Sequence, residues 1–254
     1  MRAQDGLLTR RTTESGAERD EFLLTVIPVT FTVARSGLEE LGKMVEVITD
    51  VGRDSRKICD ALEIMNWMLL GMLRSLFSTA QRFRKATRLG AKRAKELERL
   101  VEEECDRTLG TLTEMVLLRL VRFVFPWMER MFGGSERRTD MGMELFGIIE
   151  GALESVERSG FHGGAAGVKE RVALGTCQEL RGLSRIPVDG GSKSVQERKR
   201  RLAKKEAVWY LGAILERTVD GRVSGRIASR VVDSSRLGRL STVEGEFVLG
   251  RCLK

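Results

Sequence analysis

Residues that transfer protons near neutral pH are scarce in this sequence of 254 residues, which has one histidine, His162, and one tyrosine, Tyr210. Histidine is the side chain whose charge ordinarily changes between about pH 5 and 8, so general acid–base catalysis is an improbable function here. Residues 162–164 (HGG) have the composition of an oxyanion-hole loop, but the sequence lacks the GxSxG motif that would use such a loop. We therefore predict that the protein is not an enzyme and takes no small-molecule substrate.

The cysteines give little support to a metal site. No CxxC pair occurs, and no histidine lies near any of them, whereas a structural zinc site needs four such ligands at short spacings. Free thiols in a reducing, intracellular compartment are the expected state. We predict neither a metal nor a cofactor. The four cysteines are Cys59, Cys105, Cys177 and Cys252.

Positive charge is the most prominent chemical feature. The chain has 44 Lys and Arg against 36 Asp and Glu, for a net charge of +8. Such an excess favours an anionic partner, which could be nucleic acid, an anionic membrane or an acidic protein surface. Arg222, Arg226 and Arg230, spaced by four, extend this character towards the C-terminus as a weaker compositional signal.

The first basic cluster lies between residues 82 and 99. In a continuous helix most of its cations would share one face, because residues three and four apart are neighbours, and such a row matches a phosphate-lined surface. Like charges at these spacings repel, by about 0.2–0.5 kcal/mol per pair in an isolated helix. The alternative is a solvated face balanced by the acids at 102–106. The candidate binding residues are Arg84, Lys85, Arg88, Lys92, Lys95 and Arg99.

The second basic cluster has six cations in the eight residues 198–205. It lies in the first turns of a helix that the capping-box pattern of Ser194 and Glu197 predicts. The helix dipole disfavours cations there by about 0.3–1 kcal/mol each, so an external anion is expected to compensate. Trp209 and Tyr210 follow and could stack on bases or pack into a core. The candidate binding residues are Arg198, Lys199, Arg200, Arg201, Lys204 and Lys205.

The elements that must position these clusters are helical. Periodicity predicts an all-α fold, a bundle of roughly six to seven helices. Glycine-rich segments at 159–167 and 184–194 indicate linkers. The predicted units are a flexible tail and extended arm at 1–35, a helical bundle core at 36–158, a smaller helical segment at 168–219 after a glycine-rich linker, and a basic C-terminal segment at 220–254 of undefined structure.

The sequence makes specific structural predictions for the N-terminal residues and for the second helix. Residues 1–20 are polar and aperiodic and predict a mobile tail, whereas alternation around Val29, Phe31 and Val33 predicts a short strand that Pro28 confines to an edge. A helix over residues 54–79 is apolar on nearly every face in its middle, which predicts burial at the centre of the bundle. No apolar stretch is long and unbroken enough to predict a membrane span.

Residues 62–68 (LEIMNWM) resemble a stretch in the first helical bundle of orthomyxovirus matrix proteins, which are similar to this chain in length, helical character, methionine content and basicity. The resemblance implies a cationic helix that contacts ribonucleoprotein and lipid headgroups. It covers a small fraction of the chain, and no residue role is carried over from it.

These observations favour a non-enzymatic helical adaptor or scaffold that binds nucleic acid, RNA in particular, or a nucleoprotein through basic helix faces, in the nucleus or cytoplasm. One alternative is a peripheral, matrix-like protein on anionic lipid at the inner face of a membrane. Another is a scaffold for protein–protein interaction, with a protein partner or a second copy of the chain. The shortage of amide and aromatic side chains predicts recognition by charge and shape rather than by base edges.

Overall fold

The computed structural model describes residues 16–50, 55–88, 93–131, 138–183, 195–219, 224–236 and 240–252. The described residues form eight helices, which confirms the all-α class and exceeds the predicted six to seven. They are α1 (Gly16–Asp50), α2 (Ser55–Arg88), α3 (Ala94–Thr111, continued through the π-helical Leu112–Leu117 into Leu118–Met131), α4 (Arg138–Arg158), α5 (His162–Gly182), α6 (Val195–Thr218), α7 (Ser224–Arg236) and α8 (Thr242–Cys252).

The prediction of an extended arm within residues 1–35, with a short strand around Val29, Phe31 and Val33, is wrong, because residues 16–35 are part of the long helix α1. Its buried residues, together with the partly buried Ala34, recur every three or four positions, as a helix packed on one side requires: Leu23, Ile27, Phe31, Ala34, Leu38, Leu41 and Val45. The alternating valines Val29 and Val33 are instead 59% and 69% exposed. Of the tail predicted at 1–20, residues 1–15 lie outside the described residues and the rest is helical.

The start of α1 is bonded to the junction between α2 and α3. Arg19 Nη2 donates to the carbonyl oxygen of Ala86 at 2.6 Å, near the end of α2. The backbone N–H of Arg93 donates to Asp20 Oδ2 at 3.4 Å, immediately before α3 begins. Three helix ends are therefore held together at this corner of the fold.

Helices α1 and α3 approach closely where α3 is π-helical. A Cβ at Gly42 would lie 2.5 Å from the carbonyl oxygen of Met115, so only glycine permits this contact. Arg119 Nη1 donates to the carbonyl oxygen of Gly42 at 3.2 Å and lies 2.6 Å from Glu46 Oε1. The π-helical turn thus lies at the α1–α3 crossing, where Arg119 of α3 contacts two residues of α1.

The predicted linker at 159–167 is mostly helix, because α5 begins at His162. Only residues 159–161 join α4 to α5, with Gly160 at φ +78° in the left-handed region that favours glycine. Gly164 serves packing: a Cβ there would lie 2.5 Å from Leu109 Cδ1 and 2.7 Å from Asp106 Oδ1. The glycines that suggested a flexible connection instead allow α5 to approach α3. The second predicted linker, 184–194, lies outside the described residues.

The basic C-terminal segment forms two helices, α7 and α8, which pack on the preceding helices through Ile227, Val231 and Val248. A reciprocal capping box opens α8: the N–H of Ser241 donates to Glu244 Oε2 at 2.8 Å, and the N–H of Glu244 donates to Ser241 Oγ at 3.3 Å. One buried hydrophobic cluster includes residues from α1 to α8.

Helix α2 is not buried on all sides, contrary to the prediction. Its inner side contributes Leu62, Met65, Leu69 and Leu73 to the core. Its outer side leaves Trp67 77% exposed, with Ile64 and Met68 also exposed. The apolar run therefore divides between the core and the surface.

One helix among the described residues, α1 over Glu18–Ile48, is long and apolar enough to cross a membrane by length and composition. The inner side of the same helix packs into the core through Leu23, Ile27 and Phe31. A core helix passes the same test of length and composition.

Candidate anion-binding surfaces

The first basic cluster does not form the single helical row that the sequence predicts. Helix α2 ends at Arg88 and α3 begins at Ala94, so the cations belong to two helices. The backbone of Arg93 is not helical, and its N–H bonds to Asp20 of α1. Lys92 and the side chain of Arg88 lie outside the described residues.

Two of the candidate binding residues in this cluster, Arg84 and Arg99, are engaged within the protein. Arg84 Nη2 lies 2.9 Å from Glu102 Oε1, and its guanidinium carbon lies 4.1 Å from the centroid of the Phe161 ring. Arg99 Nε lies 3.3 Å from Glu103 Oε1. These contacts match the alternative of a face balanced by the acids at 102–106. Lys85 and Lys95 are exposed and have no ion pair within the described residues.

The second basic cluster lies in α6 as predicted, and its side chains divide between two environments. Arg201 Nη2 lies 2.9 Å from Glu197 Oε1, and Lys204 is buried with Nζ 3.7 Å from Glu244 Oε2 of α8. Arg198 and Lys205 are exposed and have no ion pair among the residues that the structure describes. The side chains of Lys199 and Arg200 lie outside those residues.

The two exposed cations share one side of α6 with two exposed apolar residues. Arg198, Leu202, Lys205 and Trp209 recur at spacings of four, three and four, which places them in one row along the helix. We call this row the α6 stripe. Trp209 is 43% exposed at its end, whereas the neighbouring Tyr210 is buried, so the two aromatic residues that the sequence left ambiguous have different environments.

The α6 stripe ends beside an arginine that lies against two aromatic rings. The guanidinium carbon of Arg251 in α8 is 4.8 Å from the centroid of Phe247 and 5.5 Å from that of Trp209. Its Nη1 is 2.6 Å from Glu216 Oε2, which fixes the guanidinium. Trp209 also contacts Tyr210 edge to face, with ring centroids 4.9 Å apart. The exposed indole is therefore held in a defined orientation, as a stacking surface requires.

The buried cysteines are poorly suited to nucleophilic chemistry. Burial raises the pKa of the Cys105 and Cys177 thiols to about 12 and that of Cys252 to about 11. Since the thiolate is the reactive form, these thiols stay protonated and inert near neutral pH. His162 is exposed at the start of α5. Within the described residues no group of three or more His, Cys, Asp or Glu side chains could hold a metal ion.

This burial predicts the order in which the thiols react. With a maleimide at pH 8, the native protein should gain one label, on the partly exposed Cys59, and the other three cysteines should react only on unfolding. Intact-mass spectrometry counts the labels and peptide mapping assigns them, with a guanidinium-unfolded sample as the control for full reactivity. Rapid native labelling of Cys105 would contradict its burial.

Comparison with known proteins assigns no family. No family model matches the chain, and no curated protein matches it. A solved structure described as "Computational Design of Self-Assembling Cyclic Protein Homooligomers" aligns with 92% of this chain and 94% of its own, at 10% identity and a TM-score of 0.29. At this TM-score the likeness indicates neither fold nor assembly.

Proposed function

We propose that the protein is a non-enzymatic helical adaptor that binds an anionic partner, a single-stranded nucleic acid or a nucleoprotein, through the α6 stripe. The observation that carries this proposal is the row in which Arg198 and Lys205, both without an ion pair among the described residues, alternate with the exposed Leu202 and Trp209. Cations that track phosphates beside an aromatic ring that stacks on bases are the combination single-strand binding uses.

The wider charge pattern supports this choice of surface. In the first basic cluster, Arg84 and Arg99 already pair with acids, so an incoming phosphate would have to displace a carboxylate. Arg198 and Lys205 are exposed on α6, and no carboxylate among the described residues pairs with them, so a phosphate would displace none. Lys85 and Lys95 could add further phosphate contacts, but they lie on two helices, and no exposed aromatic residue in the described part of the chain accompanies them in a row.

The cationic part of the proposal is tested by the salt dependence of binding. Wild type and Arg198→Gln/Lys205→Gln are titrated with labelled polyuridine across a salt series, using fluorescence anisotropy. Each lost phosphate contact should reduce the log–log slope by about 0.7, so the double variant should lose about 1.4. The matched control, Lys43→Gln/Arg226→Gln, removes the same charge from exposed cations that pair with Glu40 and Glu170.

The slope of the control should stay within about 0.3 of wild type, because its cations contact no phosphate. Equal slope losses in the two double variants would show that net charge, not the α6 stripe, drives binding. Absence of polyuridine binding by wild type would refute the nucleic-acid proposal. Binding to vesicles that contain anionic headgroups, in its place, would favour the lipid alternative.

The aromatic part predicts a preference for single strands. Trp209→Ala should weaken polyuridine binding by about 1–3 kcal/mol, the cost of one lost base stack, and leave duplex DNA binding almost unchanged because duplex bases are already stacked. Val33→Ala, which shortens an exposed apolar side chain of α1 outside the α6 stripe, serves as the control. An equal effect of Trp209→Ala on both nucleic acids would rule out stacking.

A further inference from the structure

The outer side of α2 is exposed along almost its whole length, and its residues follow one row at helical spacing. Its inner side is buried in the core, so this row is a continuous surface of the protein. We call it the α2 outer face. The members used below are Asp60, Glu63, Ile64, Trp67, Met68, Gly71 and Arg74.

Charge changes sign along the α2 outer face. The acids Asp60 and Glu63 precede its centre and Arg74 lies beyond it, with the exposed Lys57 one turn before Asp60. Asp60, Glu63 and Arg74 have no ion pair within the part of the chain that the structure describes. Glu63 and Arg74 are eleven positions apart, about 16 Å along the helix axis, so they are too distant to pair within one chain.

The centre of the α2 outer face combines a large apolar side chain with an open gap. Trp67 is 77% exposed between Ile64 and Met68. One turn later, Gly71 is exposed, and a Cβ built there would meet nothing within 4 Å. Packing among the residues that the structure describes therefore explains neither the exposed indole nor the missing side chain beside it.

A second copy of α2 in the antiparallel direction satisfies these features together. The register that places Trp67 opposite Gly71 of the other copy brings Glu63 within one position of the other copy's Arg74. A two-fold axis repeats both contacts, so the surface is complementary to itself. A parallel arrangement in register would instead align like charges.

We propose that the protein forms a two-fold symmetric dimer in which the α2 outer faces pack antiparallel, with Trp67 of each chain over Gly71 of the other and Glu63 paired with Arg74. Large aromatic side chains bury about 150–250 Å² each, so two seated indoles supply the apolar centre of the interface, and the charge pairs set its direction. The dimer interface contains no residue of the α6 stripe. A failure of the dimer proposal is therefore distinguishable from a failure of the nucleic-acid proposal.

Charge reversal tests the direction of packing. Glu63→Arg and Arg74→Glu should each weaken the dimer, raising its dissociation constant by about tenfold or more, because each reversal opposes like charges twice. The combined variant Glu63→Arg/Arg74→Glu restores both pairs with the signs exchanged and should return the constant to near wild type. A mixture of the two single variants should form heterodimers. Sedimentation equilibrium with the full chain measures each constant.

Removal of the indole tests the apolar centre. Trp67→Ala should shift the full chain to monomer, whereas Val47→Ala, which shortens another exposed apolar residue, should leave the dimer intact. Both side chains are exposed, and an unchanged far-UV circular dichroism spectrum confirms folding. A monomeric wild type at the highest soluble concentration would overturn the proposal. So would a dimer that Trp67→Ala leaves intact, or a combined charge variant that fails to recover.

Discussion

Phe31→Ala is expected to lower the free energy of unfolding by about 4 kcal/mol, the largest effect predicted here for a single side chain. Phe31 is 1% exposed, and its ring lies 6.4 Å from that of Phe83 in α2. Truncation removes most of a buried aromatic side chain and leaves a cavity between two helices. Urea unfolding followed by far-UV circular dichroism measures the loss.

Val33→Ala is the matched control, because it lies two positions along the same helix and is 69% exposed. Its effect should stay within about 0.5 kcal/mol. In a strand, residues 31 and 33 would lie on the same face and both would matter. Equal losses for the two variants would therefore contradict the helical assignment of this segment.

The sequence of α1 wrongly predicts a strand because residues 29–33 alternate in the two-residue period of a strand. Valines alternate with threonines, and Pro28 lacks the N–H that a helix interior uses. In the structure, Thr30 and Thr32 donate to the carbonyl oxygens four residues earlier, both at 2.8 Å, so their hydroxyls are satisfied within the helix. The three- and four-residue spacing that identifies the helix emerges only over the longer series from Leu23 to Val45.

Two other differences between the predicted and the observed structure concern the glycines at the start of α5 and the helices of the C-terminal segment. The glycines at the start of α5 suggested a linker, but the contact that requires Gly164 is with α3, more than fifty residues away in the chain. In the C-terminal segment the capping box of Ser241 and Glu244 was readable from the sequence as a helix start. The interhelical contacts of the basic segment were not readable: Arg226 with Glu170, and Arg251 with Glu216.

For the candidate surfaces, sequence spacing predicts which cations lie on one side of a helix. Tertiary contacts determine which of those cations remain exposed. The positions of Arg198 and Lys205 in α6 follow from sequence. The pairing of Lys204 with Glu244 does not, because forty residues separate them in the chain. The bond from Arg93 to Asp20, at the interruption of the first basic cluster, likewise depends on where α1 packs.

Arg35→Met is expected to lower the free energy of unfolding by about 3 kcal/mol, because it leaves a buried carboxylate with too few partners. Glu104 of α3 is 3% exposed, and its Oε2 lies 2.6 Å from Arg35 Nη1. Its other oxygen lies 2.6 Å from Arg107 Nη1, on a side chain that is largely exposed and contributes less. The bonds of Arg35 to Glu104 and Thr108 also join α1 to α3 at this point.

The double variant Arg35→Met/Glu104→Met distinguishes two causes of the lower stability of Arg35→Met, an unpaired buried charge and lost packing. Replacement of a buried pair by apolar residues of similar volume is often neutral, so the double variant should regain most of the stability that Arg35→Met loses. Lys43→Met, which removes an exposed cation paired with Glu40 on the same helix, should cost less than about 0.5 kcal/mol. The double variant could instead be no more stable than Arg35→Met. That result would show that Arg35 stabilises the α1–α3 contact through its packing and its bonds to Thr32 and Thr108, and not by neutralising Glu104. Chemical denaturation of the three variants beside wild type decides between these two origins.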